Sequence, residues 1–295
     1  MRPTAKPIPL FWVHRGHRGF LVIALPFVVG AVVFWAGVLR WLDLAWYDGL
    51  SAVAFAFRDP DEREPPVLVA IDDASLRRYG RWPWPRPQLA LLLRKIAAGG
   101  PKAVGLDILL NDPAPGDEEL AKALRLMPVV LAARLDLRRL GKAIVAGEPD
   151  PPLPDFAREA AACGFIDFFP DLDRVARRML TKVAEGPIRL SFAAALARVT
   201  GDLPAGTPAE ILLSPSHVRP PRVIGAGHVL SGEVDPSDWR GRPVLIGLTA
   251  PGAVGDSFAT PVRRLGLVPG VYLQACAYAT IVRREYLREF SAGTA

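Results

Sequence analysis

Through most of the chain, short apolar runs alternate with segments whose apolar positions recur at helical spacing. Val67–Ile71 and Pro243–Leu248 are continuously apolar, as strands covered on both faces require. The stretch PQLALLLRKIAAGG is typical of a helix, with Pro87 near its first turn and two glycines closing it. Alternation of this kind predicts a parallel sheet with helices packed against it.

The same patterns predict the remaining elements. Further strands are expected at AVGLDILL, PVVLAARL, MLTKVA and AEILL. Further helices are expected at GDEELAKALRL, in the first part of REAAACGFIDFF, and at LSFAAALARVT and GVYLQACAYATIVRREYL. The predicted fold class is therefore α/β: a layered, largely parallel sheet with helices on both faces, spanning residues 42–290.

One apolar run is much longer than a buried strand. Phe20–Leu39, FLVIALPFVVGAVVFWAGVL, contains no charged residue, and its length is that of a membrane-crossing helix. Such helices tolerate Pro26 and Gly30. We therefore predict one transmembrane helix over residues 20–41. A cleaved signal peptide is the alternative, but the run exceeds the usual signal core and no small-residue cleavage site directly follows it.

The charges that flank this run predict its orientation. Arg2, Lys6, Arg15 and Arg18 precede it without any acid, whereas Asp43 and Asp48 follow it. Because cationic flanks stay inside the cell, residues 1–19 are expected in the cytoplasm. Residues 42–290 would then form an extracytoplasmic domain, followed by a tail at residues 291–295. This orientation predicts a single-pass protein of the inner membrane.

Most of the net charge of +6 comes from the basic segment before the predicted span. Four of these charges belong to the flank, which leaves +2 for the rest of the chain. Arginines are scattered along the sequence rather than gathered, so no nucleic-acid partner is expected. Cys163 and Cys276 would face an oxidising compartment and have the option of pairing. We favour two separate buried thiols.

Acidic residues stand at the ends of two predicted strands. Asp72 and Asp73 follow the first, and Asp107 lies near the end of the second. Open parallel sheets bind ligands outside these ends, and clustered carboxylates bind divalent cations. An extracytoplasmic metal-dependent hydrolase or phosphatase using these three residues is therefore an alternative function. We favour a structural role, because Asp after a strand commonly caps the next turn.

Other catalytic templates are not met. The four histidines lack metal-ligand spacing, and no cysteine cluster supplies thiolates. GAG at residues 225–227 lacks the third glycine of a dinucleotide fingerprint, since position 230 is Leu. No Walker loop and no G-x-S-x-G turn occurs. We therefore expect no cofactor, no resident metal and no catalytic residue.

The stretch WPWPR, residues 82–86, places a proline after each of two tryptophans. This arrangement favours extended backbone at both aromatic residues and a stiff segment. Rings held in this way would pack under the following helix, which is the interpretation that we favour. Lining the mouth of a pocket is the alternative.

Taken together, these segments resemble the CHASE-type-2 sensory domain, the extracytoplasmic input module of bacterial adenylate cyclases, histidine kinases and diguanylate cyclases. The resemblance runs from about Leu44 to Leu287. VAIDDASLRRYGRWPWPR is similar to the most specific motif of the family, and AVGLDILL resembles its G-x-D strand. VLIGLTAPGAVGDSFATP, followed by VPGVYLQACAYATI, resembles its closing motifs.

The resemblance also implies which residues recur in the family. The matching positions are Asp72, Ser75, Gly80, Trp82, Pro83, Trp84, Arg86, Asp107, Gly247, Asp256, Thr260, Pro261, Pro269 and Gly270. As a hypothesis, ligand binding is assigned to Asp72, Ser75, Trp82, Trp84, Arg86, Asp107, Asp256 and Thr260.

By this resemblance, the chain is expected to be a membrane-anchored sensor of a small molecule or a periplasmic protein. We expect it to work as a homodimer, since two packed spans can shift against each other. No further span and no output enzyme follows in the 295 residues. We therefore expect the cyclase or kinase output to come from a separate partner or from a longer receptor. A ligand-free scaffold for a neighbouring membrane protein is the third hypothesis.

Overall fold

The structure is a computed structural model. It describes residues 24–32, 38–57, 66–140, 143–145, 147–171, 173–214, 222–251, 257–262 and 265–286. The chain divides into two compact units, Met1–Leu50 and Ser51–Ala295. Helix α1 covers residues 24–32, and helix α2 covers Val38–Phe57.

The predicted span Phe20–Leu39 lies only in part within the described residues. No helix in the described part of the chain is both long enough and apolar enough to cross a membrane. The transmembrane helix that we predict from the sequence is therefore not found there.

The second unit is built on a six-stranded sheet. Its strands are β1 (Val67–Ile71), β2 (Ala103–Leu109), β3 (Val129–Ala133), β6 (Ala162–Phe165), β9 (Arg222–Gly225) and β10 (Pro243–Leu248). They lie in the order β6-β3-β2-β10-β1-β9, and every neighbouring pair is parallel. This sheet confirms the predicted parallel α/β fold.

In the described part of this unit, three antiparallel strand pairs and eight helical segments accompany the sheet. The pairs are β4 (Arg138–Leu140) with β5 (Ala143–Val145), β7 (Arg178–Leu180) with β8 (Glu210–Leu212), and β11 (Ser257–Ala259) with β12 (Leu267–Pro269). The helices are α3 (Asp73–Tyr79), α4 (Arg86–Ala98), α5 (Asp117–Leu124), α6 (Pro154–Glu159), α7 (Phe192–Val199), α8 (Ala226–Ser231), a 3₁₀ helix (Pro236–Trp239) and α9 (Gly270–Arg283).

Helices cover both faces of the sheet, as predicted. Alternate side chains of a strand point to opposite faces, and in β1 Val69 belongs to one hydrophobic cluster whereas Leu68 belongs to another. The first core cluster includes side chains of α4, α5, α6 and α8, such as Leu93. The second includes side chains of α7 and α9, such as Phe192 and Leu273. Coverage on both faces explains why VLVAI has no polar alternation.

Strand β9 and helix α8 are not predicted by the pattern of apolar residues in the sequence. The strand RVIG is only four residues long, and its pairing with β1 makes it part of the sheet. The GAG stretch forms the turn from β9 into α8. A Cβ on Gly227 would lie 3.2 Å from Ser75 Oγ, so a glycine allows α8 to approach α3 closely. Here, GAG therefore serves helix packing.

Both cysteines are free thiols. Cys276 is buried in the second core cluster. Cys163 packs against the first core cluster instead, so the sheet lies between the two side chains. Burial raises the pKa of the Cys163 thiol. The separation of the two thiols that we favour from the sequence is confirmed, and Cys276 is buried as expected, whereas Cys163 is only partly buried.

Candidate functional site

Asp72 and Ser75 form a hydrogen-bonded connection between α3 and α8. Asp72 is the N-cap of α3, and its Oδ1 accepts hydrogen bonds from Ser75 N at 2.8 Å and from Ser75 Oγ at 2.6 Å. Ser75 Oγ in turn accepts a hydrogen bond from Gly227 N at 2.8 Å. Ser75 and Gly227 are buried, so this chain of bonds satisfies a hydroxyl and a backbone amide that have no access to water. The capping role expected for Asp72 is confirmed.

A cavity of about 380 Å³ lies at the carboxyl ends of four adjacent strands. Asp107, Ile108 and Leu109 of β2 and Leu248 of β10 line it, together with the residues that directly follow β3 and β6, Arg134 and Ile166. Ligands of open parallel sheets bind outside these ends of the strands. The volume is within the range of small-molecule sites.

The walls of the cavity come from both faces of the sheet. The α3–α4 connection and the first turns of α4 contribute Trp82, Pro83, Trp84, Arg86 and Leu89. The opposite wall contains Phe168, Phe258, Gly270, Val271 and Gln274, the last three from the first turns of α9. Neither α4 nor α9 has a side-chain N-cap or an acid in its first turn. Both helix N-termini therefore favour negative charge nearby.

The two tryptophans have different environments. Trp84 is buried in the first core cluster, and its Nε1 donates to Gly80 O at 3.0 Å. Its ring meets Tyr79 edge-on, with the centroids 6.4 Å apart. Trp82 is only half-buried, and the Trp82–Pro83 peptide bond is cis. The packing interpretation therefore holds for both rings, since Trp84 lies within the first core cluster and Trp82 packs against it, and both rings line the cavity as well.

Arg86 has its own partners within the protein. Its Nε donates to Asp117 Oδ1 at 3.0 Å, and its Nη2 donates to Asp112 O at 2.9 Å. The guanidinium carbon also lies 5.8 Å from the centre of the Phe156 ring, within the distance of a cation–π contact. Arg86 therefore holds the loop between β2 and α5 against the start of α4. At the cavity, its charge is largely balanced by Asp117.

Gln274 lines the cavity, and no motif in the sequence marks it as a site residue. Its side chain is 1% exposed, and Nε2 donates to Ile166 O at 3.3 Å. Its Oε1 is buried and has no hydrogen-bond partner among the described residues. A glutamine among the apolar residues of GVYLQACAYATIV is the signal that would have identified it. A buried acceptor without a partner costs free energy, which a ligand donor would recover.

The cavity brings together four of the eight predicted ligand-binding residues: Trp82, Trp84, Arg86 and Asp107. Asp72 and Ser75 lie instead at the contact between α3 and α8. Thr260 is buried, and its Oγ1 donates to Val262 O at 3.5 Å rather than lining the cavity. Asp256 lies outside the described residues.

The carboxylates that the alternative function requires do not form a metal centre. Within the described ranges, no group of three His, Cys, Asp or Glu side chains is placed to hold a metal ion. Asp72 caps α3, Asp73 is exposed in the first turn of that helix, and Asp107 lines the cavity.

A parallel sheet covered on both faces, with a small-molecule cavity at its carboxyl edge, places the second unit among α/β domains with a candidate ligand site. Residues 22–294 match the family model of the CHASE2 domain, which covers nearly the whole chain. The chain therefore belongs to the CHASE2 domain family, and the resemblance of its motifs is confirmed. CHASE2 domains are extracytoplasmic sensory domains and are not themselves catalytic. No curated protein and no solved structure matches the chain.

Proposed function

We propose that this chain is the sensing part of a bacterial signal-transduction protein and that a small molecule in the cavity is its stimulus. The observation that carries this proposal is the convergence of Trp82, Trp84, Arg86 and Asp107 on one cavity at the carboxyl edge of the sheet. Membership of a sensory family supports the same role. The protein would be anchored in the inner membrane with its N-terminus in the cytoplasm and its main domain outside.

The position of the cavity suggests how binding would be relayed. One wall belongs to α4 and the segment before it, and the other belongs to α9. A ligand that contacts both walls favours the arrangement in which both contacts are made. The relay is then a population shift, which requires different ligand affinities for the two arrangements.

The relay would run through a homodimer whose predicted spans, Phe20–Leu39, pack against each other. Single cysteines along this segment, in a chain with Cys163→Ala and Cys276→Ala, would report the packing by disulfide crosslinking in membranes. We expect crosslinks to recur at helical spacing on one face. A uniform profile along the segment would contradict the dimer.

A matched pair of variants tests whether the cavity controls that packing. Leu109 lines the cavity, so Leu109→Phe fills part of it, whereas Leu126 is an exposed leucine elsewhere on the domain. Leu109→Phe should change the crosslinking profile, and Leu126→Phe should leave it unchanged. Identical profiles for both variants and the wild type would contradict the relay.

The orientation has its own test. Protease added to intact spheroplasts should digest the domain at residues 42–290 and leave the first nineteen residues intact. Protection of the domain together with digestion of those residues would overturn the proposed anchoring and location.

A further inference from the structure

The polar groups of the cavity restrict the chemistry of its ligand. Gln274 Oε1 is a buried acceptor without a partner in the described part of the chain, and Gln274 lines the cavity. Its Nε2 already donates to Ile166 O, so the amide is held by that bond. The group that completes this site is therefore a hydrogen-bond donor, an N–H or an O–H.

The charges that line the cavity indicate an anionic group. Among the described residues, three ionisable side chains line it, Arg86, Asp107 and Arg134. Arg86 is paired with Asp117, and Asp107 has a contact of its own. The Arg134 side chain makes no ion pair with any residue that the structure describes. An exposed guanidinium at the cavity suits a carboxylate, and the N-termini of α4 and α9 favour the same charge.

The apolar lining of the cavity indicates what the uncharged part of the ligand is. Four aromatic side chains in the described ranges line the cavity, among them Phe168 and Phe258, whose ring centroids are 5.5 Å apart with a tilt of 59°. Trp82 is half-buried and presents part of its ring to the same space. Aromatic rings pack well against one another in offset or edge-on geometry, so a planar aromatic ligand fits this lining.

We infer that the cavity binds a small aromatic carboxylate that carries an N–H or O–H donor. The donor binds Gln274 Oε1, the carboxylate pairs with Arg134, and the ring lies among the aromatic side chains. This inference rests on the proposed function, because it takes the cavity to be the sensory site.

Isothermal titration calorimetry on the purified full chain tests the inference. The ligands are para-hydroxyphenylacetate, para-aminobenzoate and indoleacetate, three acids whose donors lie at different distances from the carboxylate. At least one should bind at up to millimolar concentration. If none of the three binds to folded protein, the inference is overturned.

Two matched compounds separate the donor from the charge. Of the acids, para-hydroxyphenylacetate has a close relative without the donor, para-methoxyphenylacetate, and one without the carboxylate, para-hydroxyphenylethanol. We expect each of these two to bind about tenfold more weakly than the parent acid, which corresponds to one buried hydrogen bond or one charge-assisted pair. Equal affinity for all three compounds would contradict the inference.

Variants assign each effect to its residue. Gln274→Met keeps the length of the side chain and removes the acceptor, so it should weaken the hydroxy acid about tenfold and leave the methoxy acid unchanged. Arg134→Gln should weaken both acids and leave the alcohol unchanged. Arg158→Gln removes an exposed arginine outside this cavity and should bind as the wild type does. If Gln274→Met does not fold, the comparison of hydroxy and methoxy acids on the wild type still tests the donor.

Failure of this inference differs from failure of the proposed function. An uncharged aromatic compound that changes the crosslinking profile, while all three acids fail to bind, overturns the ligand class and leaves the sensory role in place. Acids that bind as expected, while Leu109→Phe leaves the profile unchanged, overturn the relay and leave the ligand class in place.

Discussion

Two parts of one motif, Asp72–Ser75 and Trp82–Arg86, behave differently in the structure. In the first, Asp72 Oδ1 accepts two hydrogen bonds from Ser75, and Ser75 Oγ accepts one from Gly227 N of α8. The second provides one wall of the cavity. A polar residue whose hydrogen bonds are all made inside the protein has little left to offer a ligand. Membership of a motif therefore does not by itself make a residue a ligand contact.

The largest predicted effect is on the free energy of unfolding, which should fall more on substitution of Trp84 than on substitution of Trp82. Trp84 is 3% exposed and hydrogen-bonded, so Trp84→Leu should lower the free energy of unfolding by about 3 kcal/mol. Trp82 is half-buried, and Trp82→Leu should cost about 1 kcal/mol. Urea unfolding of both variants measures the difference. Equal losses would show that the two rings have the same role.

A smaller loss of stability is expected when Ser75, in the Asp72–Ser75 part of the motif, is substituted. Ser75→Ala leaves the buried Gly227 N–H without an acceptor and removes the hydroxyl donor to Asp72, which keeps its hydrogen bond from Ser75 N, so it should cost about 2 kcal/mol. Ser257→Ala is the control, since Ser257 is an exposed serine elsewhere on the domain. Binding of the acid ligands should survive in Ser75→Ala. If Ser75→Ala kept its stability but lost ligand binding, Asp72–Ser75 would be a ligand contact and not a structural connection.

A third prediction concerns the close packing of β10 against α9, which leaves no room for a side chain at position 247. A Cβ on Gly247 would lie 2.6 Å from Val271 Cγ2, so Gly247→Ala should cost about 1–2 kcal/mol through overpacking. The double variant with Val271→Ala removes the obstructing methyl groups and should recover part of this loss in urea unfolding. Additive losses would contradict the steric explanation.

The smallest predicted effect is a pH dependence of stability that arises from Glu233, whose partner Arg78 lies on α3 close to Asp72–Ser75. Hydrogen bonds from Arg78, His228 and Ser231 lower the pKa of Glu233 from 4.5 to about 2. Because the folded-state pKa is the lower one, the stabilisation is present above pH 4.5 and is lost as the pH falls toward about 2. The urea concentration at the unfolding midpoint of Glu233→Gln should therefore be lower than that of the wild type near neutral pH. Near pH 2 the two midpoints should be the same.

The control for this prediction is Glu148→Gln, at an exposed position elsewhere. Its unfolding midpoint should follow that of the wild type at every pH. A difference between Glu233→Gln and the wild type that stays constant with pH would contradict the role of the Glu233 carboxylate.

Much of the fold was predictable, because it depends on local periodicity. Buried strands such as Val67–Ile71 are continuous apolar runs, and helices such as Arg86–Ala98 have their own start and stop signals. Arg222–Gly225 has only four residues, and it is a strand because β1 pairs with it. Such pairing depends on residues far away in sequence, so a local pattern does not reveal it.

The candidate site was predictable only in part. Trp82 and Asp107 stand in motifs near the ends of predicted elements, where the rule for parallel sheets places ligands. Arg134, Phe258 and Gln274 come from separate segments that carry no shared motif. Their convergence required the strand order and the packing of α9 over the second face.

By itself, the sequence determined the types of element, the parallel sheet and the family, because these depend on short-range periodicity and on motif residues. Only the tertiary structure decided that the Ser75 hydroxyl bridges Asp72 Oδ1 and Gly227 N, and that the Gln274 carbonyl is left without a partner in the described part of the chain. Hydrogen-bond satisfaction is a property of groups brought together from distant segments. It is therefore settled by packing and not by the residue type at any one position.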